Sequence, residues 1–162
     1  MAEAAIVNAS PLICLSRAGL PDLLRQAAET IKVPRAVARE ILARGPSDVT
    51  AGVLAKTPWL MQVDDPEIPP SILGWDLGGG ESTVLALALA HPRTCAIIDD
   101  LHGRRCAESL GIPLRGTVGL VLRARRAGII VSARDAFERL RAGGMYLSDR
   151  IVLDVLRELG EV

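Results

Sequence analysis

The chain has 162 residues, the length of one ordinary domain, and 49% of them are apolar, enough to bury a core around a central sheet. Two Trp, one Tyr and one Phe leave few platforms for stacking single-stranded bases, which argues against an OB-fold or RRM-like binder. The net charge of zero divides unevenly: residues 1–100 carry 8 basic and 12 acidic side chains, whereas 101–162 carry 11 basic, all Arg, and 7 acidic. That balance is not that of a general nucleic-acid coat, and the arginines read equally as solvated helix faces or as a phosphate-binding stripe.

Ala4 to Val7 is a short apolar run that reads as a strand. It ends at Asn8, and Ser10-Pro11 then supplies an N-cap with proline at the first helical position. A second short helix is expected over 22–30 and a strand at 31–33. Pro34 opens another helix, in which Val37 and Ile41 share a face at i, i+4 and Glu40 borders that face. A helix over 48–56 and a strand over 59–63 lead into a loop, Asp64 through Pro70.

Gly78-Gly79-Gly80 precedes a long helix beginning at Glu81, whose side chain shares the face of Val84, Leu85 and Ala88. Cys95 to Ile98 is continuously apolar, the mark of a central strand buried on both faces, and it stops at Asp99-Asp100. Helices over 102–110 and 117–127 enclose a brief strand near 112–114. Ser132 with Asp135 and then Ser148 start two final helices. Strands alternating with helices imply a single-domain, three-layer α/β/α sandwich with a mostly parallel sheet, carrying a C-terminal helical extension from about residue 132.

Cys14, Cys95 and Cys106 are odd in number and lack CxxC spacing, so reduced thiols and a cytoplasmic location are expected. The N-terminus has no signal-peptide pattern, and no run of about 18 apolar residues spans a bilayer. The triple glycine lacks the Lys of a P-loop and the spacing of a dinucleotide fingerprint. His102 and Cys106, at i and i+4, have no companions for zinc, and His91 reads as a helix-end residue.

Ligands of parallel sheets gather beyond the carboxyl ends of the strands, where Asn8 and Asp99-Asp100 fall. Two adjacent carboxylates repel unless a cation offsets them, and a hard divalent ion needs only oxygen donors. Glu40 and Glu81 supply further acids on helix faces turned toward the core. Each acid also has a plainer reading. Glu40 pairs with Arg44, Glu81 stabilises a helix N-terminus, and Asp99-Asp100 caps the following helix.

Ile6-Val7-Asn8-Ala9-Ser10-Pro11-Leu12-Ile13 resembles the opening motif of PIN-domain proteins, the ribonuclease family that includes VapC-type toxins. The likeness continues through Val33 to Val37 with Glu40, Leu77 to Glu81, Ile97 to Asp100 with Gly103-Arg104, and Gly111 to Gly128. It reaches about residue 130 and is closest to a PIN-like branch with an Asn/Asp-x-Ser-Pro-Leu-Ile start and an acidic pair followed by Gly-Arg.

The resemblance implies a metal-dependent endoribonuclease, the toxin of a toxin–antitoxin pair, forming a homodimer and binding a small antitoxin protein. It places catalytic and metal-binding roles on Asn8, Glu40, Glu81, Asp99 and Asp100, with Mg²⁺ or Mn²⁺ as cofactor. Ser10, Arg104 and Arg105 become the nucleic-acid-binding candidates. Asn8 departs from the family's first acid: its amide oxygen coordinates a hard cation but brings no charge and takes no proton from water. A catalytically weakened PIN-like module that binds nucleic acid or protein is therefore the alternative. A metabolic enzyme for a small phosphorylated ligand is a third reading. Asn8 also reads as an Asx turn, and Ser10 as no more than a cap.

Overall fold

The computed structural model describes residues 2–162. Five strands, β1 (Ala2–Val7), β2 (Ala28–Pro34), β3 (Leu60–Val63), β4 (Thr94–Ile97) and β5 (Leu114–Arg115), form one sheet in the order β3-β2-β1-β4-β5. Every pairing is parallel. Helices α1 (Ala9–Arg17), α2 (Arg35–Leu42), α3 (Val49–Lys56), α4 (Pro70–Leu73), α5 (Gly79–Ala90), α6 (Leu101–Ser109), α7 (Thr117–Arg126), α8 (Ala133–Ala142) and α9 (Asp149–Glu158) flank it as an α/β/α sandwich.

The two most apolar runs take the middle of the sheet. Ile6, Val7, Ile97 and Ile98 are all almost fully buried, as expected of central strands covered on both faces. Exposing any one of them costs about 2 kcal/mol, so the ends of β1 and β4 are held in place by packing. The chain steps from β1 to β2 to β3 on one side, then crosses to lay β4 and β5 on the other. The topological switch point therefore falls between β1 and β4, with Asn8 and Asp99 just beyond its carboxyl end.

Several boundaries differ from the sequence reading. The polar stretch after Pro21 forms only a 3₁₀ helix, Pro21–Gln26, and β2 begins at Ala28, where pairing with Ala2 overrides the helical propensity of 27–30. Asn8, not Ser10, occupies the N-cap position of α1, and Ser10 lies within the first turn. Gly79 starts α5 two residues before Glu81, α4 begins at the end of the expected loop, and β5 falls at Leu114–Arg115.

The C-terminal helices are docked on the same core. Phe137, Leu140, Val152 and Leu156 join the apolar cluster that contains β1 and β4. Ser132 and Ser148 cap α8 and α9, accepting from the amides of Asp135 and Ile151 at 3.1 and 3.2 Å. Beyond α9, burial pushes the Glu161 carboxyl up, but the amides of Ala133 and Arg134, with Arg125 and Ser132, outweigh it and hold it down at about 2. The end of the chain is thereby tied to the start of α8. Among the described residues no helix is long and apolar enough to cross a membrane.

Candidate metal and phosphodiester site

Residues Val7 and Ile97 are paired across β1 and β4, and the Asn8 amide extends that ladder by donating to the Ile97 carbonyl at 3.0 Å. Asn8 and Asp99-Asp100 thus leave the sheet side by side. Asn8 is buried, 5% exposed, yet its side chain makes no capping bond to α1. An Asx or cap role does not account for it.

Its carbonyl oxygen opens toward the first turn of α5. A Cβ placed on Gly80 would lie 3.4 Å from Asn8 Oδ1 and 2.5 Å from Glu40 Oε1. The missing side chain of Gly80 is therefore the space in which the Glu40 carboxylate sits beside Asn8. Glu40 reaches there from the last turn of α2, where it is exposed and not turned into the core as the sequence suggested, and it forms no ion pair with Arg44. The expected i, i+4 pair is absent because Glu40 is directed at the α5 N-terminus instead.

Glu81, the third residue of α5, is half-buried. Burial pushes its carboxyl up, and the charges of Asp100 and Glu40 push it further, while His102 draws it back. Room for it comes from another glycine: a Cβ on Gly103 would meet Glu81 Oε2 at 3.5 Å. Three acids from α2, α5 and the β4–α6 junction thus face one another across the switch point, with no Lys or Arg ion-paired to Glu40, Glu81 or Asp100 among the described residues.

The adjacent aspartates divide their work. Asp100 caps α6, one oxygen accepting from the Gly103 amide at 3.1 Å, and its charge is felt by Glu81. Asp99 turns the other way. Its Oδ1 accepts from the Thr117 amide at 2.7 Å and its Oδ2 from the Thr117 hydroxyl at 2.6 Å, so it caps α7 and not the helix that follows it. Thr117 is completely buried. Sequence reasoning marked it only as a helix start, since a contact 18 residues away leaves no local signature.

Arg104 is half-buried and donates to the Ile98 carbonyl at 2.9 Å, bracing the end of β4. It shares with Asp99 the space left by Gly116. Arg105 is exposed on α6, and no hydrogen bond or ion pair ties it to the acids. Ser10, exposed in α1, lines a 270 Å³ cleft with Cys14, Asp99, Asp100, Met145 and Tyr146. His102 donates a ring N–H to the Trp75 carbonyl, 2.7 Å away.

The donor set, carboxylates and one amide, suits a hard cation and lacks the thiolate or imidazole of a zinc site. Among the described residues no three His, Cys, Asp or Glu side chains are drawn tight enough to cage an ion as they stand. An open arrangement is compatible with Mg²⁺, which retains several waters and takes only one or two carboxylates directly. Asn8, with its Oδ1 beside the Glu40 carboxylate and no capping bond to α1, gives the fit a second support beyond the acids.

A family model described as a PIN domain matches residues 4–161. The match extends past the motifs near residue 130 to include α8 and α9. No curated protein matches the chain.

Proposed function

Because the chain belongs to the PIN-domain family, whose members are typically nucleases, we propose that it is an endoribonuclease that hydrolyses RNA phosphodiester bonds with Mg²⁺ or Mn²⁺. The observation that carries this reading is the convergence of Asn8, Glu40, Glu81 and Asp100 at the switch point, where Glu81 is disfavoured as an anion first by burial and then by its acidic neighbours.

A divalent ion bound there would polarise a phosphoryl oxygen and supply hydroxide at neutral pH. Asn8, Glu40, Glu81 and Asp100 would hold it. Asp99 positions the junction by fastening the end of β4 to α7, and Arg104 offers guanidinium donors to a phosphate at that same end. The chain's raised Glu81 carboxyl is suited to exchange a proton with water as the ion enters or leaves.

A toxin role with a small antitoxin and a homodimeric state fits the VapC-like motifs, and the reduced cysteines fit a cytoplasmic setting. We read residues 1–162 as one domain, since a single apolar cluster runs from β1 to α9. Purified protein is expected to cleave RNA with Mn²⁺ and to stop when the ion is chelated; cleavage that persists without divalent ions contradicts the proposal.

Asn8 supports a second reading, a weakened module that binds without cutting. Asn8→Asp sets a new charge beside Glu40, so the metal-free protein is expected to melt earlier and Mn²⁺ affinity to rise about tenfold. Calorimetric titration reads both. A matching gain in cleavage favours the weakened module, unchanged cleavage marks Asn as a competent ligand, and unchanged Mn²⁺ affinity removes position 8 from the site.

A further inference from the structure

Beside the acids lies a larger cleft of 650 Å³, lined by Asp99, Arg104, Arg115, Arg123 and the segment Met145 to Leu147. Three guanidiniums border it, and none belongs to an ion pair among the described residues. The one carboxylate in the lining, Asp99, has both oxygens committed to Thr117. Each arginine instead holds a backbone carbonyl: Arg104 that of Ile98 at 2.9 Å, Arg115 that of Leu114 at 3.0 Å, and Arg123 that of Gln26 at 3.1 Å. These bonds fix the heads without cancelling their charge, and most of their donors stay free. The Arg115 Nε is buried with no partner at all. Such a cleft calls for anions, and more than one.

Tyr146 stands between this cleft and the smaller one that holds Ser10, Asp99 and Asp100. It is the only Tyr in the chain and is 88% exposed. Its loop, by contrast, is pinned: Arg141 donates to the Leu147 carbonyl at 2.6 Å and to Asp149 at 2.9 Å, the Met145 amide bonds the Leu140 carbonyl at 3.0 Å, and Leu147 is buried. An aromatic ring held out on a fixed backbone loses little freedom when something stacks on it. Fixed cations that suit phosphates, next to one ring open on its face, match a nucleic-acid strand with an unpaired base.

We propose that the Arg104–Arg115–Arg123 cleft is the subsite for single-stranded RNA flanking the bond to be cut, with the arginines on successive phosphates and one base stacked on Tyr146. The assignment rests on the nuclease reading for what occupies the acid site. A duplex, whose bases are already stacked, offers no face to Tyr146 and is excluded.

The test is fluorescence anisotropy of a labelled short oligoadenylate with the full chain in EDTA. Tyr146→Ala is expected to weaken binding about tenfold and Tyr146→Phe to restore it. Arg115→Gln and Arg123→Gln are each expected to flatten the dependence of log affinity on log salt by about 0.7. Equal binding by Tyr146→Ala and wild type, or a phenylalanine variant as weak as alanine, overturns the subsite. An acidic protein partner in its place would produce that result, since it needs the arginines and not the ring. Hydrolysis of the small diester bis(p-nitrophenyl) phosphate by wild type with Mn²⁺ separates the two claims. If hydrolysis occurs without ring-dependent binding, this inference alone fails; if ring-dependent binding occurs without hydrolysis, the subsite stands and the nuclease reading fails.

Discussion

Asp100→Asn is expected to reduce Mn²⁺-dependent RNA cleavage by about 100-fold or more while leaving the fold intact. The substitution separates charge from structure. Asparagine caps a helix as well as aspartate does, so the bond from the Gly103 amide survives and α6 keeps its start. What is lost is one negative charge facing Glu81. In the metal-free protein that loss relieves repulsion, and the urea midpoint should hold or rise. Asp99→Asn should behave in the opposite sense. Its carboxylate accepts two bonds from buried Thr117, and an amide cannot accept at both atoms, so about 2 kcal/mol of stability is expected to go, with a smaller fall in cleavage per folded molecule. If Asp99→Asn abolishes cleavage at full stability and Asp100→Asn does not, the roles assigned to the pair are reversed.

Gly80→Ala is the second substitution expected to have a large effect, and the effect should fall on the site alone. Alanine favours a helix over glycine by up to about 1 kcal/mol, so α5 should be no less stable. Yet the new methyl group would stand 2.5 Å from Glu40 Oε1, closer than atoms can approach. The backbone is braced, whereas the Glu40 side chain is free to turn at its far end. It is Glu40 that must move, carrying its carboxylate away from Asn8. Mn²⁺ affinity is expected to fall about tenfold with cleavage following it, at an unchanged or higher melting temperature. Cleavage and metal affinity equal to wild type would mean that the carboxylate does not act from that position.

How these residues came to be visible, or not, follows from the range of each interaction. The continuous run from Cys95 to Ile98 identified a central strand because covering both faces leaves no alternation to see. Asn8 and the Asp pair were legible because they interrupt apolar runs at strand ends. The spacing of Glu40 and Arg44 suggested a local ion pair, but spacing along a helix says nothing of the space Gly80 leaves on another helix 40 residues later. For the same reason the room that Gly80, Gly103 and Gly116 leave for Glu40, Glu81 and Asp99 with Arg104 had no signature in the sequence. The division between Asp99 and Asp100 depends on Thr117, and adjacent identical residues carry no sequence sign of which way each turns. Ser10 illustrates the reverse error: a strong capping pattern, Ser-Pro, was displaced two residues because the β1 ladder carries on through Asn8 and the helix begins at once.

The most direct test is the anomalous signal of Mn²⁺ in crystals of the wild-type protein. The expected result is a peak beyond the carboxyl ends of β1 and β4, within coordination distance of Asp100 and at least one of Asn8, Glu40 and Glu81. Manganese bound elsewhere on the chain, or Glu40 and Asp100 found on opposite flanks of the molecule, would contradict the assignment of this pocket as a metal-dependent nuclease centre.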